Sequence, residues 1–277
     1  MTTANSSADW PIGVFDSGVG GLSILKALQQ QLPGESFVYL ADSGNAPYGE
    51  RDEAFVIQRS RVCLSLLRQQ HHIKALVVAC NTATALAIQV LRDENPELPI
   101  FGVEPSVKPA AADSLTHKVG VLATAATLQS AKFQELLHSL DSTKTEFVLQ
   151  ACDGLADAIE KQWQDGHSGE VRTICEKYLL ALGAFGQAPG EIDTLVLGCT
   201  HYPFAGEELQ SLAGESVRLL EPGTPVARRV YQILQTQGLL ANRGLKTSLL
   251  PLATGETRNL QQALWHWLGL NQQVIKV

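Results

Sequence analysis

Two cysteines end closely similar apolar runs, Ala75-Leu76-Val77-Val78-Ala79-Cys80-Asn81-Thr82 and Thr194-Leu195-Val196-Leu197-Gly198-Cys199-Thr200-His201. A β-rich run that stops at a thiol and a polar turn delivers that thiol to the carboxyl end of a strand, where open α/β sheets hold their ligands. Two such thiols, facing one another, would grip one substrate from opposite sides. The reaction that suits them best removes a carbon-bound proton on one face and returns a proton on the other, inverting a stereocentre. A free thiol, with a pKa of roughly 8.5, is mostly protonated near neutrality and needs help to act as a base. His201 is close enough in sequence to lie beside Cys199, and an imidazolium there favours the thiolate. Asp16 is the candidate helper for Cys80, as proton acceptor or orienter, because a bare carboxylate beside a thiol raises the thiol's pKa. Asn81 and Thr82 after one cysteine, and Thr200 and His201 after the other, bring donors for a carboxylate or an amine.

Other chemistries fit less of the pattern. Cys199 with His201 would also suit acyl transfer, but that requires an oxyanion hole and uses only one of the pair. A metal site would have two candidate ligands in Cys199-Thr200-His201, with no HExxH or CxxC pattern to supply more. Asp16-Ser17-Gly18-Val19-Gly20-Gly21 opens a helix, so its backbone N–H groups could hold an anionic oxygen. Ser23 stands where a dinucleotide fingerprint wants its third glycine, and the Gly-Lys-Ser/Thr of a P-loop is absent, which disfavours nucleotide binding. The plain reading of Asp16 is a helix cap.

The elements that must position these residues alternate between short β-rich runs and helical patterns, which predicts a largely parallel α/β fold. Strands are expected at Ile12 to Phe15 and Phe37 to Ala41, at the Cys80 run, and at Ile100 to Val103. Leu22, Leu25, Leu28 and Leu32 mark one helix face, and further helices span about Asp52 to Gln70 and Thr82 to Asn95. The pattern then restarts. Val119-Gly120-Val121-Leu122 echoes Ile12-Gly13-Val14-Phe15, Thr124 falls where Ser17 falls, and Glu221-Pro222 answers Glu104-Pro105. This implies a duplication into two pseudosymmetric domains, with a cleft between the carboxyl ends of their sheets. The first domain takes residues 1–106 and 221–277, the second 107–220. Leu249 to Ala253, a Gln261 to Leu268 helix and Val274 to Val277 would return to the first domain, with Trp265, His266 and Trp267 as packing residues.

With 277 residues the chain can bury a substantial core. A net charge of −7 with no basic run disfavours nucleic-acid binding. Met1 to Asp9 lacks the features of a secretory signal and reads as disordered, and no apolar stretch is long enough for a bilayer. The expectation is a soluble, cytoplasmic protein with no membrane partner. Five cysteines without a C-x-x-C pair argue for reduced thiols; Cys63 and Cys175 read as small buried hydrophobes.

Asp16-Ser17-Gly18-Val19-Gly20-Gly21, Asn45-Ala46-Pro47-Tyr48-Gly49, Cys80-Asn81-Thr82-Ala83, Gly102-Val103-Glu104-Pro105 and Leu197-Gly198-Cys199-Thr200-His201-Tyr202-Pro203 together resemble the glutamate racemases in order and spacing, over nearly the whole chain. The resemblance implies a cofactor-independent racemase of two pseudosymmetric α/β domains that makes D-glutamate for peptidoglycan. It makes Cys80 the base toward the D enantiomer and Cys199 the base toward the L, assisted by Asp16 and His201. Asp16, Ser17, Tyr48, Gly49, Asn81, Thr82, Thr200 and His201 would line the substrate, Thr127 would contact a substrate carboxylate, and Glu160 would be an acidic residue near the cleft. Asp153 departs from the proline common in the family. A racemase of aspartate or another acidic amino acid, and a non-catalytic amino-acid-binding module, are the competing readings. A homodimer is compatible with the sequence.

Overall fold

The computed structural model describes residues 7–162, 169–241 and 247–277. The chain forms two compact units, one comprising the chain up to Val103 and from Gly223 onward, the other Glu104–Pro222. The strands in chain order are β1 (Ile12–Asp16), β2 (Phe37–Ala41), β3 (Ala75–Val78), β4 (Ile100–Gly102), β5 (Lys118–Ala123), β6 (Glu146–Ala151), β7 (Thr194–Gly198), β8 (Arg218–Leu220), β9 (Leu249–Ala253) and β10 (Ile275–Lys276). The first unit holds a parallel sheet in the order β10-β9-β2-β1-β3-β4, the second a parallel sheet in the order β6-β5-β7-β8. Every residue of β1, β2, β3 and β7 is buried, as strands covered on both faces require, and this explains their continuous apolar runs.

The order β2-β1-β3-β4 in one unit and β6-β5-β7-β8 in the other is the same topology twice, so the expected α/β fold with an internal repeat is present. The pairing registers agree residue by residue. Gly13 faces Leu76 and Gly120 faces Leu195, so Cys80 and Cys199 leave their sheets at equivalent positions, and Thr124 does correspond to Ser17. The Glu-Pro pairs do not correspond so closely. Ile100 faces Leu76 and Leu219 faces Leu195, a register that sets Gly223, not Glu221, at the position equivalent to Glu104.

Strands β1, β2 and β3 lead into α1 (Leu22–Gln31), α2 (Glu53–His71) and α3 (Asn81–Glu94). Asp52 caps α2 by accepting from Phe55 N, which places the helix start one residue beyond the expected one. Helix α3 starts at Asn81 because Cys80 is itself its N-cap.

Some expectations need correction. The part of Met1 to Asp9 read as disordered that falls among the described residues, Ser7–Asp9, forms a 3-10 turn; residues 1–6 lie outside the described residues. The turn is held because Lys74, buried and paired with Glu35 at 2.5 Å, also donates to Ala8 O. Trp265 is 58% exposed rather than packed, His266 is exposed, and Trp267 is half-buried. Their helix, Thr257–Leu268, turns Leu260, Ala263 and Leu264 inward instead. The strand expected at Val274 to Val277 is only Ile275–Lys276. Strand β6 is missing from the sequence reading: it is an edge strand, half-buried to exposed along its length, and lacks the continuous burial that made the others conspicuous.

Candidate active site

In the first unit three neighbouring strands present their carboxyl ends together, and each carries part of the site. Strand β1 ends on Asp16, β2 runs into Asp42, and β3 runs through Ala79 into Cys80. The Cys80 thiol is 5% exposed. As the N-cap of α3 it accepts from Ala83 N at 3.4 Å, and Ser17 Oγ lies 3.5 Å away. A sulfur at a helix N-terminus sits where unpaired amides and the helix dipole favour negative charge, which lowers the cost of a thiolate. Asn81 and Thr82, the first two residues of that helix, are buried. Asn81 donates to Val103 O at 3.1 Å, while its Oδ1 is buried with no hydrogen-bond partner among the described residues.

Asp16 is fully buried, and its Oδ2 accepts from Gly21 N at 2.8 Å. The helix-cap reading is therefore half right: Asp16 folds the glycine turn back onto itself, while Gly21 occupies the cap position of α1 without a side-chain bond. Gly21 must be glycine, because a Cβ there would stand 2.7 Å from Asp16 Cβ and 3.0 Å from Ala79 Cβ.

The Asn45–Gly49 segment is built around Tyr48. Tyr48 is buried, its ring packs on Phe15 and Phe55, and its hydroxyl donates to Asp42 Oδ2 at 2.6 Å. Burial, with Cys63 and the Asp42 bond adding to it, pushes the phenol's pKa up, so it stays a donor. The side chain thus supports the segment from beneath, while Gly49 is half-buried in the turn Tyr48–Glu50.

In the second unit, Cys199 is 6% exposed directly after β7. His201 Nδ1 is 3.7 Å from its sulfur, and His201 Nε2 is 2.7 Å from Glu160 Oε1. Glu160 comes from the helix Leu155–Lys161, which begins two residues after Asp153. Burial alone would lower the His201 pKa, but the hydrogen bonds to Cys199 and Glu160 outweigh it and hold the imidazole well above its ordinary value. When protonated, an imidazole held between a carboxylate and a sulfur sets positive charge beside that sulfur. Thr200 is buried at the same turn. Thr127 lies just past β5, the strand beside β7, where its Oγ1 and N both bond Thr124 Oγ1, at 2.9 and 3.2 Å.

Cys63 and Cys175 are buried as expected. Burial, with Glu208 nearby, pushes the Cys175 thiol up to about 12, and burial likewise raises Cys63, leaving both inert as nucleophiles. Among the described residues no three His, Cys, Asp or Glu side chains gather closely enough to hold a metal ion. Sequence reasoning missed the Asp42 carboxylate as a meeting point for Arg59 and for Thr254, the latter from a distant part of the chain; the one available signal was the density of turn residues after Asp42.

Parallel sheets carrying a thiol at equivalent strand ends define a class. The model of the Asp/Glu/hydantoin racemases matches residues 12–230, and the chain belongs to that family of isomerases. Within it, the similarity runs to the glutamate racemases. That of Pseudomonas syringae pv. tomato is 44% identical over 245 residues, 88% of this chain and 86% of that one. The crystal structure of the glutamate racemase isoform RacE1 from Bacillus anthracis aligns with a TM-score of 0.83 at 34% identity, covering 97% of each chain. The Francisella tularensis glutamate racemase, solved in complex with D-glutamate, aligns with a TM-score of 0.82 at 27% identity over 98% of each. Among the described residues no helix is long and apolar enough to cross a membrane.

Proposed function

We infer that this chain interconverts L- and D-glutamate in the cytoplasm, without a cofactor, using Cys80 and Cys199 as its two acid–base groups, and that the D-glutamate serves peptidoglycan synthesis. The observation that carries the reading is the matched register: the same strand of each repeat ends, at the same position, on a thiol. The names of the similar proteins supply the substrate.

In the L-to-D direction the Cys199 thiolate takes the α-proton and becomes a thiol, while the Cys80 thiol gives its proton to the opposite face and becomes a thiolate. The D-to-L direction exchanges these roles, so each turnover leaves the pair ready for the reverse reaction. The helix N-terminus at Cys80 and the imidazolium at Cys199 support the thiolate that each half-reaction needs. Without a cofactor to spread the carbanion's charge, fixed donors must do so; Ser17, Thr82, Thr127, Thr200 and the backbone at Gly49 are the candidates, and the open acceptor Asn81 Oδ1 suits the substrate ammonium.

Racemisation in deuterated water tests this. Either enantiomer should yield its mirror image carrying deuterium at the α-carbon, and Cys80→Ser and Cys199→Ser should each reduce turnover by several orders of magnitude. Product free of solvent deuterium, or a serine variant with wild-type turnover, overturns the mechanism. Aspartate turning over faster than glutamate overturns the substrate assignment.

A further inference from the structure

We propose that Thr254, on the C-terminal arm of the chain, is a positioning residue: it latches the Ser43–Gly49 loop through Asp42 and thereby sets the affinity for substrate without touching it. The inference rests on the assignment of that loop to the substrate.

Asp42 is fully buried, yet its carboxylate is crowded with donors. Oδ2 receives Tyr48 Oη at 2.6 Å and Arg59 Nε at 3.0 Å; Oδ1 receives Arg59 Nη2 at 2.8 Å, Asn45 Nδ2 at 3.0 Å and Thr254 Oγ1 at 2.7 Å. A carboxylate offers about four lone-pair sites, so this one has nothing left for a substrate and cannot serve as a base. Arg59, whose own pKa the Asp42 hydrogen bond raises, neutralises the buried charge. Asp42 therefore acts as a hub, and two of its spokes, Asn45 and Tyr48, belong to the loop itself.

Thr254 differs from the other spokes because it lies past the end of β9, over two hundred residues along the chain from Asp42. Its hydroxyl donates to Asp42 and also accepts from Gly44 N at 3.1 Å, so one oxygen ties the hub to the loop's backbone. Close approach reinforces the tie. A Cβ on Gly255 would stand 2.7 Å from Gly44 N, and one on Gly44 would stand 3.0 Å from Thr254 O; the two segments cross with no room for a side chain. The arm itself is anchored in the sheet, Thr254 N donating to Ala41 O at 3.0 Å.

Removing the hydroxyl leaves the hub with its other donors but frees Gly44 N, so the loop spends part of its time away from its working position. Apparent affinity falls in proportion to the fraction of chains with the loop in place, while molecules that have bound react normally. Thr254→Val in the full chain should raise KM for both glutamate enantiomers roughly three- to tenfold and change kcat less than about twofold. Thr254→Ser should restore KM, and amide hydrogen exchange should show faster exchange over residues 43–49 in the valine variant alone. A Thr254→Val enzyme with wild-type KM, or one whose loss falls on kcat, overturns the latch while leaving the racemase reading intact. A wild-type chain that leaves both glutamate enantiomers unchanged overturns both.

Discussion

Glu160→Gln isolates the charge on the Cys199 side with little change in shape. Glutamine keeps an oxygen to accept from His201 Nε2, now 2.7 Å from Glu160 Oε1, but offers no countercharge to an imidazolium. A hydrogen bond with a charged partner contributes roughly 1.5–3 kcal/mol; the imidazolium keeps its own charge against glutamine, so the exchange removes only the countercharge's share, about 1–1.5 kcal/mol. The Glu160 side chain is 26% exposed, and solvent screening favours the lower end of that range. If this stabilisation supports the thiolate in the reacting state, kcat/KM falls roughly five- to tenfold. The sign of the pH effect is fixed as well. Glu160 helps raise the His201 pKa; without the charge His201 loses its proton at lower pH, and the alkaline limb of the kcat/KM profile moves toward acid. Because the two enantiomers have equal free energies, kcat/KM must fall equally in both directions. Circular dichroism at a series of pH values, with each enantiomer as substrate, measures all three. An unchanged alkaline limb together with unchanged kcat/KM would refute the role given to the Glu160–His201 pair.

Gly21→Ala places a Cβ within 2.7 Å of Asp16 Cβ and should cost about 1–3 kcal/mol of stability through overpacking, with at least a tenfold loss of activity as Asp16 is displaced; unchanged turnover would remove Asp16 from the site. Lys74→Met strands Glu35 in a buried position and should cost about 3–5 kcal/mol in urea denaturation. Since Lys74 precedes β3 and Cys80 comes after it, KM below the denaturation midpoint should stay as in the wild type.

Much of this was legible in the sequence, for identifiable reasons. Strands β1, β3 and β7 were visible because both their faces are covered, which forces uninterrupted apolar runs, and the repeat was visible because matched registers reuse glycine at Gly13 and Gly120. Cys80 and Cys199 stood out from Cys63 and Cys175 by their polar turns, Asn81-Thr82 and Thr200-His201, not by residue type. Edge strand β6 was hidden because among the described residues no strand pairs with its outer edge, and its burial is incomplete. The Asp42 hub was hidden for another reason: a hydrogen bond between Asp42 and Thr254 joins distant segments, and nothing in the local pattern of either announces the other. The motif that marks Tyr48 likewise says nothing of its hydroxyl's bond to Asp42.

That the sulfur of Cys80 doubles as the first ligand of a helix bears on how the protein can be caught in the act. Serine is a strong helix cap, alanine a poor one. The hydroxyl analogue at position 80 should therefore preserve the opening turn of α3 and the buried Asn81 and Thr82 riding on it, giving a catalytically silent but well-formed snare for crystallising bound amino acid, where the methyl analogue would blur the features such a crystal is meant to show.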